Sequence, residues 1–146
     1  MKPRHPDARV ARVVQFYEAL APADLARLDA IYSADARFKD PFNEVQGVAA
    51  IRAVFEHMFA TLDEPRFAVR DIVVQDDQAF LSWDFSFRAR RMGPGPQLIR
   101  GGTHLVLAAD GRVALHRDYW DAAEELYEKL PVLGALMRWL RRRAAS

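Results

Sequence analysis

Cysteine is absent from the 146 residues, which excludes disulfide staples and thiolate metal sites. No stretch approaches the roughly 18 unbroken apolar residues that a membrane span requires. The N-terminal MKPRHPDARV lacks the apolar run of a secretory leader, so the chain is expected to be cytoplasmic. Charge of one sign is not in excess either: 21 Lys and Arg stand against 20 Asp and Glu, a net of +1. So even a balance gives no global field to hold a polyanion, and no nucleic-acid partner is expected. Internal repeats, linkers and low-complexity segments are also missing. What is present is 51% hydrophobic, enough at this length to bury a core without staples, and a single domain over residues 1–146 is expected.

Three helices are predicted in the first half. Residues 7 to 20 carry Val10, Val13, Val14, Tyr17 and Leu20 on one stripe, with Phe16 at its edge. After APAD, where Pro22 and Asp24 suit a helix start, Leu25, Leu28, Ile31 and Tyr32 form a shorter stripe ending near Ser33. Gly47 then opens a longer helix in which Val48, Ile51, Phe55, Met58 and Leu62 recur, closed by DEP at 63 to 65.

From Arg66 the period changes to two. Turn signals at QDDQ (75 to 78), GPGP (93 to 96) and ADG (109 to 111) divide the remainder into four strands of an antiparallel sheet. Leu81, Trp83, Phe85 and Phe87 share one face of the second strand, and Ser82, Asp84, Ser86 and Arg88 share the other. A helical extension over 122–143, interrupted at Pro131, carries Leu133, Leu136, Met137 and Leu140 and ends in basic residues. The whole spells an α+β fold, its curved sheet wrapped around the long third helix and leaving a cavity at the open end.

The segment ADARFKDPFN (34 to 43) bears on function. As a strand it points Ala36, Phe38 and Asp40 to one face, and Pro41 holds Asp40 in extended backbone. An acid sent toward a core is either a desolvated carboxylate that acts as a base in an apolar pocket, or a strand-end aspartate making an Asx turn with Asn43 or its neighbours. On the last strand His116, Asp118 and Trp120 alternate with Leu115, Arg117 and Tyr119, two mixed faces between which periodicity does not choose. Two positions apart, His116 and Asp118 lie about 6 to 7 Å between α-carbons, near enough for the acid to orient the ring. His57 falls opposite Phe55 and is expected in solvent. His104 alternates away from Thr103 and so cannot join His116 around a metal, and no metal or cofactor is expected.

The order helix, helix, DARFKDPF, long helix, sheet and terminal DYW resembles the nuclear transport factor 2-like superfamily, in the ketosteroid isomerase and SnoaL-like branch. The resemblance covers roughly residues 8 to 121 and implies a cone-shaped sheet. It makes Asp40, followed by Pro41 and Phe42, the proton-shuttling base. It turns His116, Asp118 and Trp120 into the same cavity as Asp40. The two oxyanion donors of the isomerases would fall at Phe16 and Thr103, where the required tyrosine and aspartic acid are missing. Losing one such donor costs about 3 to 4 kcal/mol, which argues against steroid isomerisation. Tyr17, beside Phe16, is either core or a substitute hydroxyl.

The expected partner is a small, largely apolar molecule carrying a carbonyl or hydroxyl. Asp40 would move the proton, His116 would stabilise the oxygen, and Asp118 would orient His116. Phe16, Tyr17, Phe38, Phe42, Phe55, Trp83, Phe85, Thr103 and Trp120 would line the pocket. An epoxide-hydrolase variant would pair Asp40 and Asp118 with Arg88 or Arg100 reaching inward. The alternative is a ligand-binding or assembly module without turnover. A homodimer through the Ser82, Asp84, Ser86 and Arg88 face is expected by the same resemblance. The basic terminal helix is expected to dock on the domain or on a second subunit rather than on a membrane.

Overall fold

The computed structural model describes residues 3–125 and 131–145. Helix α1 (Ala8–Glu18) starts where Asp7 accepts hydrogen bonds from the backbone amides of Arg9 and Val10, satisfying donors that have no partner within the helix. Its stripe of Val10, Val13, Val14 and Tyr17 is buried. A 3-10 turn (Pro22–Arg27) leads into the single turn of α2 (Leu28–Ile31), and β1 (Tyr32–Lys39) begins at the next residue. Tyr32, expected on the second helical stripe, is therefore the first residue of a strand. After the short β2 (Glu44–Gln46), Gly47 adopts φ +92° and α3 (Val48–Thr61) follows.

The long strands β3 (Asp63–Gln75), β4 (Gln78–Arg88), β5 (Gln97–Leu107) and β6 (Val113–Tyr119) complete one six-stranded sheet in the order β2-β1-β6-β5-β4-β3. All pairings are antiparallel except that of β1 with β6, which run parallel. The four strands expected to be antiparallel are so, and the parallel pair involves β1 instead. It arises because β1 comes from the helical half and enters the sheet beside its last strand. Burial alternates strictly along β4, from Ala79 to Phe87 inward and Phe80 to Ser86 outward. The sheet curves without closing, and α3 crosses its concave side, burying Ile51 and Phe55. Helices α4 (Ala122–Glu125) and α5 (Pro131–Ala144) follow. Most of the interruption expected near Pro131 falls on residues 126–130, outside the described residues.

Candidate functional site

Strand β6 carries the chemistry, and its neighbours are set by register. His116 lies beside Phe38 of β1 and Leu105 of β5, while Asp118 lies opposite Thr103. Inward side chains on these strands therefore meet without any loop having to fold over them. Trp83 Nε1 donates to Thr103 Oγ1 at 2.7 Å, and Thr103 Oγ1 donates to Asp118 Oδ1 at 2.6 Å. Indole has no acceptor, so the direction of this chain is fixed: the threonine proton points at the carboxylate. Asp118 Oδ1 also receives His116 Nε2 at 2.7 Å, which places the ring proton on Nε2. His116 Nδ1 lies 2.9 Å from the Tyr17 hydroxyl and 2.8 Å from that of Tyr32, and the two hydroxyls are 2.7 Å apart. Burial pushes both phenols well above the usual tyrosine range, so both keep their protons and one donates to Nδ1.

The network lies at the inner end of a cavity of about 310 Å³. His116 is only 5% exposed, with Phe38 packed on its ring at 4.5 Å between centroids. Tyr17, Phe38, Phe42, Phe55, Trp83, Phe85, Thr103, His116, Asp118 and Trp120 line the space, together with Val54, Met58, Leu62, Phe67 and Ile99. Phe16 does not. It is buried beside Tyr17, ring to ring at 6.0 Å, because adjacent residues on a helix point about 100° apart and α1 turns Tyr17 inward. The hydroxyl expected to be missing from α1 is thus supplied one position on. His57, expected in solvent, is exposed but also borders the cavity.

Asp40 stands at the rim, half-buried. Its Oδ1 accepts from the amides of Phe42 and Asn43 at 2.8 and 2.7 Å, and the Asn43 side-chain amide reaches both oxygens at 3.1 Å. This is the Asx turn of the alternative reading, formed by a residue that lines the cavity as well. Asp118 differs: one oxygen holds Thr103 and His116, and among the described residues no donor bonds to Oδ2. Among the described residues no arginine lines the cavity. Arg88 pairs with Glu64 and Arg100 with Glu124 and Glu125, so the arrangement of two acids and an arginine is not assembled. No group of three or more His, Cys, Asp or Glu suited to a metal occurs among the described residues. Reading the sequence missed Tyr32 and Asn43 as parts of the site. The Asn43 signal lay in the expected turn itself.

The sequence profile of the SnoaL-like domain matches residues 13–116. Among curated proteins none matches the chain by sequence. Among solved structures, a protein of ketosteroid isomerase-like fold from Catenulispora acidiphila, in complex with trimethylamine, is 16% identical, with a TM-score of 0.71 over 87% of this chain and 96% of that one. TsrD from Streptomyces laurentii is 24% identical, with a TM-score of 0.70 over 90% and 98%. An LEH-like epoxide hydrolase from M. tuberculosis is 18% identical, with a TM-score of 0.67 over 91% and 96%. At these identities the likeness is one of fold.

Proposed function

The chain belongs to the SnoaL-like domain family, and from that premise we propose that its cavity takes up a small, largely apolar molecule with a carbonyl or hydroxyl and moves a proton on it. The observation that carries this reading is the buried chain Trp83, Thr103, Asp118, His116, which ends on a carboxylate with one oxygen left for a ligand. Asp118 Oδ2 is the proton acceptor, and Thr103 and His116 hold the carboxylate in place. His116 accepts a proton through Nδ1 only if the tyrosine hydroxyl turns away, so it serves here as a positioning group rather than as the electrophile. Asp40, with its turn already formed, is a second carboxylate at the rim that can pass a proton outward. Aromatic walls exclude water, which strengthens both acids' interactions with a bound polar group.

A second reading, binding without turnover, is favoured by one specific observation: both His116 nitrogens and Asp40 Oδ1 are already bonded within the protein. One experiment separates the two. A thermal-shift screen of apolar carbonyl compounds and epoxides yields ligands, and each is then tested for conversion by wild type, Asp118→Asn and Asp40→Asn. The expected result is conversion by wild type, a loss of about 10²- to 10⁴-fold in Asp118→Asn with binding retained, and a smaller loss in Asp40→Asn. Ligands that bind wild type but are never converted would leave the binding reading standing.

A further inference from the structure

The two carboxylates of the cavity stand side by side. Strands β1 and β6 run parallel, with Phe38 beside His116 and Lys39 beside Arg117, and the next step of that register brings Asp40 level with Asp118. Neighbouring strands lie about 5 Å apart, and both acids line the same cavity. The donors set on them are neutral: amide groups of Phe42 and Asn43 on Asp40, a hydroxyl and an imidazole on Asp118. Among the described residues no lysine or arginine lines the cavity. Its basic side chains are His116, whose Nδ1 is an acceptor for a tyrosine hydroxyl, and the exposed His57 on α3. The wall beside the acids is aromatic. Trp120 lies two positions beyond Asp118, and the Trp83 indole holds the threonine that donates to Asp118. Both tryptophans close on one point, since a Cβ on Gly101 would lie 2.6 Å from Trp83 and 3.0 Å from Trp120.

Two like charges abreast in a space closed off from water repel each other more strongly than in bulk solvent. A neutral ligand leaves that repulsion in place, an anion adds to it and a cation relieves it. Indole faces are also the side-chain surfaces that attract a cation best. We infer that the molecule taken up by this cavity is an organic cation, its ammonium group lying against Asp40 and an indole face while its carbonyl or hydroxyl reaches Asp118 Oδ2. The inference rests on the cavity being the ligand site, as proposed above, and assigns that ligand its charge. The charge also serves the proposed chemistry. When a proton passes from the carbon beside a carbonyl to Asp118 Oδ2, the bonding pair moves onto the carbonyl oxygen, and the ligand's own positive charge offsets it.

The test is calorimetric titration of the full chain with three probes: phenacyltrimethylammonium, a ketone of permanent positive charge; neopentyl phenyl ketone, its neutral isostere; and the anion benzoylformate. The cation is expected to bind wild type about tenfold more tightly than the isostere, less so as salt is added, and benzoylformate is expected not to bind. Asp40→Asn should weaken the cation about tenfold and leave the isostere unchanged, because asparagine keeps the Asx turn and removes only the charge. Trp120→Leu, which keeps the wall apolar, should narrow the gap between cation and isostere. Circular dichroism confirms that the variants fold. Equal affinity for cation and isostere, a preference that survives Asp40→Asn, or binding of benzoylformate in place of the cation would overturn the inference while leaving the cavity a ligand site. Binding of none of the three would overturn it together with the ligand site.

Discussion

Two tyrosine hydroxyls share one acceptor, His116 Nδ1, and that sharing makes the site's energetics non-additive. Removing either hydroxyl leaves the other within reach, so Tyr17→Phe and Tyr32→Phe are each expected to cost about 1 kcal/mol in urea unfolding. The double variant orphans a buried acceptor, a penalty of about 1–3 kcal/mol beyond the lost bonds. Simple additivity in that cycle would contradict the shared acceptor. The same phenols set the alkaline limit. Their folded values lie above the ordinary 10.0, chiefly through burial, so the folded state retains protons that the unfolded chain releases. Stability from this source is full below about pH 10 and is lost as pH rises further. Tyrosinate absorbance from these two residues should therefore rise only together with loss of circular dichroism, whereas their ionisation in a still-folded protein would exclude the buried network. Of this cluster, His116 and Asp118 were legible as an alternating pair. Tyr32 was not, because a helical stripe and the first residue of a following strand read alike when no turn residue separates them.

At the level of elements, the long helix and the four long strands were visible as changes of period, and turn signals marked their ends. What period does not carry is which strands become neighbours. The parallel pairing of β1 with β6, which puts Phe38 against His116, and the register that sets Thr103 against Asp118 are tertiary facts. Gly101 shows how closely the register is held. It sits opposite Trp83 on β4, and a Cβ there would come within 2.6 Å of Trp83 Cη2 and 3.0 Å of Trp120 Cβ. Both indoles line the cavity, and the Trp83 indole anchors Thr103. Gly101→Ala is expected to cost about 1–3 kcal/mol by overpacking. Because it displaces the indole, it should also shift tryptophan fluorescence and weaken ligand binding. A variant with wild-type stability and emission would show that the strands slide apart without cost.

Across the whole molecule, the convex face of the sheet is unusual for a surface left to water. Val73, Phe80, Leu98 and Tyr119 are 64, 44, 43 and 45% exposed, and the register puts all of them outward together with Ser82, Asp84 and Ser86. The absence of a side chain at Gly102 lets the Phe80 ring approach it closely, since a Cβ there would come within 2.7 Å of Phe80 Cε1. Around the apolar patch stand Arg70, Arg100 and Arg117 and also Asp71 and Asp84, Arg70 being paired with Asp84. We propose that this face joins two copies of the chain about a two-fold axis. A surface bearing both signs beside an apolar centre can meet its own rotated image, which a surface of one sign cannot. Light scattering should then give twice the chain mass of 16.6 kDa, and Phe80→Glu should reduce it to the single-chain value without lowering the thermal midpoint of the isolated fold. The substitution places a charge at the centre of the patch, where it has no room to hydrate, so dissociation by more than tenfold is expected. A wild-type chain that scatters as a monomer at high concentration would remove the dimer and leave Phe80 as an exposed ring resting on a glycine.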